Sequence, residues 1–360
     1  MDQPLSAEVR FLLAACCVGP IPPPSPHRID PSRLLRLAQF HRVAGLVYES
    51  RERLPLPPDA VAPFRAATMA TLHRNLQFAA ELKLALHALN AAGAPVILLK
   101  GAHLMDAVYH NPALRPLSDL DILVRPEHAQ TAMEALRAVD YATDPRRAAF
   151  GLRSDGEARL EKSGVHDLVI ELHTTLNRAT RHHWFPMDAL WRRSEAYAFE
   201  GVPARVLCPA DNLCFLCAHA VPHLFSQLSW IRDIAGVWEM LSGASDSPGE
   251  DLMQAACDAS ARRAVFAGLH VARTALGAGM EASLPDAIAG PAAARLKPLL
   301  SSERLFVGTH YSTLQSLRFR AALSDDPRRA AAILGASFFR KAAEMSRGLS
   351  TSKQRRSMEA

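Results

Sequence analysis

The stretch Leu98–Val124, "LLKGAHLMDAVYHNPALRPLSDLDILV", decides the fold. It begins inside "PVILLK" (95–100), a short apolar run that reads as a buried strand. "GAHLMDAVYH" then reads as a helix opening at Gly101, "NPALRPLS" as a loop and "DLDILV" as a second strand. Side chains alternate faces along a strand. Leu120, Ile122 and Val124 therefore share one face, which suits packing on a helix. Asp119 and Asp121 share the other, which must meet water, a cation or a ligand. Two carboxylates so close repel each other, and Arg115 or a divalent metal is the expected counter-charge.

Working outward, "PEHAQTAMEALRAV" (126–139) reads as a helix with proline in its first turn, and a loop-rich stretch follows. "DLVIELH" (167–173) is the third strand, with Asp167, Val169, Glu171 and His173 on the face opposite Leu168, Ile170 and Leu172. If it neighbours "DLDILV", Glu171 joins Asp119 and Asp121 as a third oxygen ligand. Hard oxygen donors suit Mg2+ or Mn2+. Each element alone also has a plainer reading: a solvated sheet edge for Asp-x-Asp, a tight turn for Lys100-Gly101. Their order favours phosphate chemistry, because free N–H groups at a helix start with no Cβ in the way attract anions and Lys100 adds a point charge.

On either side the pattern is helical. A helix is expected over residues 1–18, where "FLLAACCV" lacks the basic flank of a signal segment. Two more are expected: "SRLLRLAQFHRVAGLVYESRERL", and residues 59–92 with Gly93 as C-cap. From about residue 186 the chain again reads as helical to about 348. The expected organisation is a helical region over 1–93, a core over 94–185, a helical region over 186–348 and a frayed basic tail over 349–360. The fold class is α+β, a small mixed sheet embedded in a largely helical protein. Apolar residues make up 49% of the chain and no run is long enough for a membrane span. The net charge of +5 suits a phosphate-bearing partner but is too mild for a nucleic-acid binder. Six cysteines without framework spacing fit a reducing, cytoplasmic setting.

Other groups leave alternatives open. Cys214 and Cys217 sit one turn apart on an apolar helix, which favours small hydrophobes over a zinc pair. His219 either reaches the site or joins a buried polar network, His223 lies nearby, and Pro222 should end the helix. Arg232-Asp233 is an internal ion pair or a contact to ligand. "RHHWFP" (181–186) is a loop that could cover the site.

The order "LLKGAHLMDAVYHNPALRPLSDLDILV … DLVIELHTTL" resembles the uncharacterised nucleotidyltransferase family of the DNA polymerase beta-type superfamily. So do its flanks, "LAQFHRVAGLVYES" and "LCFLCAHAVPHLFSQLSWIRDIAGVW", and the likeness spans roughly residues 30–240. The resemblance implies a nucleotidyltransferase core. In it, Asp119, Asp121 and Glu171 would bind metal and do the catalysis. Lys100, Gly101 and Ala102 would cradle the triphosphate of an NTP, with ATP the expected co-substrate. Arg115 would steady the aspartates or phosphates, and His173 would orient a water or the acceptor. Better-characterised superfamily members carry Gly-Ser or Gly-Gly at the turn. Here it is Gly101-Ala102, so Lys100 is expected to replace the missing hydroxyl. The acceptor is a small molecule, a peptide or a protein, and the assembly state is not implied. The rival readings are a non-catalytic nucleotide-binding or scaffold protein and a metal-dependent phosphohydrolase.

Overall fold

The computed structural model describes residues 5–19, 29–162, 168–177, 183–306, 312–331 and 334–335. Four helices come first: α1 (Ala7–Cys16), α2 (Pro31–Phe40), α3 (Ala44–Glu49) and α4 (Pro58–Ala91). Asp30 caps α2 by accepting from the backbone N–H of Ser32 and Arg33. Gly93, at φ +68°, closes α4 in the left-handed conformation.

The sheet elements follow as β1 (Ile97–Leu98), α5 (Gly101–Ala107), β2 (Leu120–Leu123), α6 (Ala129–Ala138), β3 (Tyr141–Ala142), α7 (Pro145–Ser154), β4 (Glu157–Lys162) and β5 (Val169–His173). After α8 (Met187–Arg193) come β6 (Glu195–Phe199) and β7 (Val202–Val206), then α9 (Pro209–Ala220), α10 (Leu228–Ala244), α11 (Pro248–Asp258) and α12 (Arg262–Leu276). The seven strands form one mixed sheet in the order β3-β4-β5-β2-β1-β7-β6. Thus the expected class, a small mixed sheet within a largely helical chain, is what the fold displays.

β2 runs parallel to β5, with Asp121 opposite Glu171 and Leu123 opposite His173. The face bearing Leu98, Ile122, Ile170 and Leu172 packs against α4 and α6 in one apolar cluster. Ile97, Leu99 and Leu123 point the other way, into a second cluster built on α1–α3 and α9–α12. The carboxylates open onto that second side, where the helices leave a cleft.

Two expectations fail. The segment after α6 is not loop-rich but carries β3, α7 and β4. "EARLEK" buries Ala158 and Leu160 while Arg159 and Glu161 face outward, a period-2 pattern hidden by composition. Nor is the chain helical from residue 186 onward, because β6 and β7 form a hairpin whose second strand pairs in parallel with β1. Its two-residue loop, Glu200-Gly201, has both φ angles positive (45° and 82°), as the favoured hairpin turn demands. The sheet therefore runs beyond residue 185. The tail over 349–360 lies outside the described residues. Among the described residues no helix is long and apolar enough to cross a membrane.

The loop between α5 and β2 is clamped from beneath. Asn75 of α4 is fully buried. Its Nδ2 donates to the carbonyls of Pro112 (2.6 Å) and Arg115 (2.8 Å), and its Oδ1 accepts from Leu117 N–H at 3.0 Å. Gly45 of α3 lets the backbone at Ala113 approach so closely that a Cβ would stand 2.3 Å from its carbonyl oxygen. Asn75→Ala would strand three loop groups, two carbonyls and one N–H. Each lost partner of a buried group costs about 1–3 kcal/mol, so the variant should lose roughly 3 kcal/mol in urea denaturation. A loss below about 1 kcal/mol would show that the loop is held by something else.

Candidate active site

Asp121 stands at the centre. β2 is flanked on both edges, and the Asp121 side chain is buried. An unpaired carboxylate there would be costly. Two partners meet it: Lys100 Nζ at 2.9 Å and His173 Nε2 at 3.0 Å, both on Oδ1. Burial opposes ionisation, but the Lys100 charge and the His173 hydrogen bond outweigh it and hold the carboxyl well below the ordinary carboxylate range. Lys100 reaches Asp121 from the N-cap of α5 with φ +46°, a left-handed conformation that a lysine adopts only at a cost. The backbone is thus bent to place an ammonium on this carboxylate.

Glu171 lies beside Asp121 by strand register. Burial first, and then the negative charges of Asp121 and Asp119, push its carboxyl upward against the pull of Lys100 and Arg159. His173 is fixed from both sides, since its Nδ1 lies 3.4 Å from Glu157 Oε2 of β4. Among the described residues, Asp121, Glu171 and His173 form a group whose donor atoms all lie within 4.8 Å of one another. Two carboxylates and an imidazole, crowded enough to disfavour ionisation of one member, are a donor set that suits a divalent cation. His173 thus stands with Asp121 and Glu171 in one cluster. Asp119 stands just before β2, accepts from Ser118 Oγ at 3.1 Å and lines the same cleft.

The cleft holds about 310 Å3. The carboxylates Asp119, Asp121, Glu157 and Glu171 line it together with Lys100, Gly101, His219, His223 and Trp230. Arg42 also lines it and donates to the carbonyl of Pro116 at 3.2 Å, in the loop that leads to Asp119. A Cβ on Gly101 would come within 2.8 Å of Leu117 Cδ2 and 3.0 Å of Arg115 Nη1, so a larger residue at the turn would push these two side-chain ends aside.

Two expected site residues are placed differently. Ala102 is not on the cleft wall; its side chain packs in the apolar cluster beneath the sheet, where a hydroxyl would face hydrocarbon. Arg115 lines the cleft, but its charge is matched by Asp233 of α10 rather than by Asp119 or Asp121: Nε and Nη2 bond both carboxylate oxygens at 2.8–3.1 Å. Asp233 also accepts from Tyr109 Oη at 2.7 Å. Arg232 is not its partner and lies over the Tyr109 ring instead. The pair Arg115–Asp233 ties the clamped loop to the helical side of the cleft.

Sequence patterns alone do not single out Glu157, Arg42 or Asn75. Glu157 sits in a stretch whose composition suits a loop. Asn75 has one signal, a polar residue on an otherwise apolar helix face. Cys214 and Cys217 are buried free thiols in the helical core, and no metal-binding group among the described residues includes them. Of the "RHHWFP" loop, Arg181 and His182 lie outside the described residues, and Trp184 sits beneath Arg329 rather than on the cleft.

Compared with known proteins, the chain matches the sequence model of a family described as uncharacterised nucleotidyltransferase over residues 27–277, more than half its length. No curated protein and no solved structure matches it.

The crowding on Glu171 has a measurable sign. A carboxyl raised above its unfolded value favours the fold while protonated, and that stability is lost as pH rises through the folded value. Glu171→Gln should therefore be more stable than the parent at pH 8 in chelator. The expected gain is about 1–3 kcal/mol, since each tenfold change in proton affinity is worth ~1.4 kcal/mol. The advantage should shrink toward pH 4. Equal stability at pH 8 by chemical denaturation would contradict the crowding.

Proposed function

The chain belongs to the uncharacterised nucleotidyltransferase family, and from that premise we propose that it is a metal-dependent nucleotidyltransferase. It moves a nucleoside monophosphate from an NTP, ATP foremost, to a hydroxyl or similar group of a small-molecule, peptide or protein acceptor. The observation that carries this reading is the meeting of Asp121, Glu171 and His173 within 4.8 Å, beside Lys100, in a cleft that Lys100, Gly101, Asp121 and Glu171 line.

Asp121 and Glu171, with Asp119 at the rim and His173 completing the set, would hold Mg2+ or Mn2+. Such an ion, when bound, neutralises charge developing on the transferred phosphoryl group. Lys100 would exchange part of its contact with Asp121 for a phosphate oxygen, which a flexible ammonium does readily. In the transfer, a bond forms between the acceptor oxygen and the α-phosphorus. The bond from that phosphorus to the bridging oxygen of the β-phosphate breaks, and pyrophosphate leaves. Glu171 would either help hold the metal ion, which would lower the pKa of the acceptor hydroxyl, or take the acceptor's proton as its base. The clamped loop keeps Asp119 and Arg115 in place, and Arg115 remains on Asp233. The mild net charge argues against a nucleic-acid acceptor, and the free cysteines suit the cytoplasm.

One observation favours a non-catalytic nucleotide-binding reading: Lys100 already neutralises Asp121 from within. A phosphohydrolase would use the same carboxylates with water as acceptor. Radiolabelled NTP with Mg2+ or Mn2+ and cell extract as acceptor source separates the three readings. Label carried onto an acceptor is the expected outcome, while free monophosphate alone or binding alone would replace transfer with a rival. Asp121→Asn should cut transfer at least 100-fold (~2.7 kcal/mol or more of barrier) with the circular dichroism spectrum unchanged. Full activity in that variant would remove Asp121 from the chemistry.

A further inference from the structure

Three rings from the helical side line the cleft, His219, His223 and Trp230, and they continue a row that starts at the buried Phe215. Phe215, His219 and His223 follow one another at intervals of four residues along α9 and the turn beyond it. Their ring centroids are 6.2 Å and 5.1 Å apart. The row ends on Trp230 of α10, 4.8 Å from His223 and edge-on to His219 at 6.1 Å. It begins beside the phosphate end of the cleft, where Lys100 Nζ lies 5.8 Å from the Phe215 ring, and runs outward to His223, which is exposed.

The turn that carries His223 is strained. Pro222 stops α9 at Ala220, and the chain then passes through two consecutive bulky residues in the left-handed region, Leu224 (φ 58°) and Phe225 (φ 52°). Phe225 is fully buried and anchors the turn from below. Backbone strain held in place by a packed anchor next to a cleft is a mark of a positioned site. Here the positioned objects are the His223 and Trp230 rings.

We propose that the His219–His223–Trp230 wall is the platform on which the heteroaromatic base of the nucleotide stacks, its triphosphate lying toward Lys100 and Gly101. This rests on the nucleotide reading above and names the part of the nucleotide that this wall takes. A row of rings beginning next to a phosphate-binding lysine and ending at the cleft mouth matches a ligand that is anionic at one end and planar at the other. Stacking is tolerant of base identity because every base offers a π-face. The wall therefore gives affinity for any of the common bases, with modest preference among them.

The test compares ATP and UTP with inorganic tripolyphosphate, each with Mg2+, by calorimetry and tryptophan fluorescence. In the parent protein both nucleotides should bind about 10-fold tighter than tripolyphosphate, in the range that one stacked base contributes. Trp230→Ala should reduce that margin to under about 3-fold and leave tripolyphosphate affinity unchanged. Trp230→Phe should keep the margin and remove the fluorescence change, which guards against misfolding as the cause. Equal affinity for nucleotides and tripolyphosphate in the parent protein, or equal weakening of both by Trp230→Ala, overturns the platform while leaving phosphate binding intact. If no probe binds at all, the nucleotide reading falls and the platform falls with it.

Discussion

The buried negative charge of Asp121 organises the cleft. Asp121 sits on an inner strand of the sheet and is only 6% exposed. Such a group is tolerated where partners replace its lost hydration, and removing one partner of a buried pair is strongly destabilising. Lys100 and His173 supply the replacement from opposite directions. Much of the surrounding architecture serves these contacts: the left-handed backbone at Lys100, the parallel register of β2 with β5, and Glu157 behind His173. The loop that leads into β2 is fixed by Asn75 below, Gly45 alongside and the Arg115–Asp233 pair across the cleft.

Around that charge the balance is negative. At a separation of about 4.8 Å and an effective dielectric of about 20, two carboxylates repel by roughly 3.5 kcal/mol. Exposed ion pairs such as those open to Arg159 return about 0–1 kcal/mol. Burial and then this repulsion outweigh the nearby cations, which is why Glu171 resists ionisation while Asp121, holding both Lys100 and His173, does not. Two agents can relieve the crowding, a proton on Glu171 or a cation shared among the carboxylates.

The features legible in the sequence are those that depend on strand periodicity. Alternation in "DLDILV" and "DLVIELH" places Asp121, Glu171 and His173 on one face, and the pairing of β2 with β5 brings them together. Features that depend on long-range partners are not legible. Arg115 and Asp233 lie 118 residues apart, and nothing local marks them as a pair. Lys100 reads as a phosphate ligand from its place before Gly101, and its contact with Asp121 follows from a backbone angle that lysine rarely adopts. β4 and the β6–β7 hairpin escape sequence reasoning because their composition, charged in one case and rich in alanine and glutamate in the other, suits helix or loop better than strand. Ala102 is drawn to the cleft by adjacency to Gly101, whereas the phase of α5 turns it into the apolar cluster beneath the sheet.

If Asp121 anchors a cation site shared with Glu171 and His173, Mn2+ should report it. Electron paramagnetic resonance titration of Mn2+ into the parent protein and into Asp121→Asn, each with and without ATP, is the decisive measurement. Mn2+ should bind the parent protein, bind at least 10-fold more tightly when ATP is present, and lose both behaviours in Asp121→Asn while that variant remains folded. Mn2+ affinity that is the same in both proteins would contradict the shared cation site.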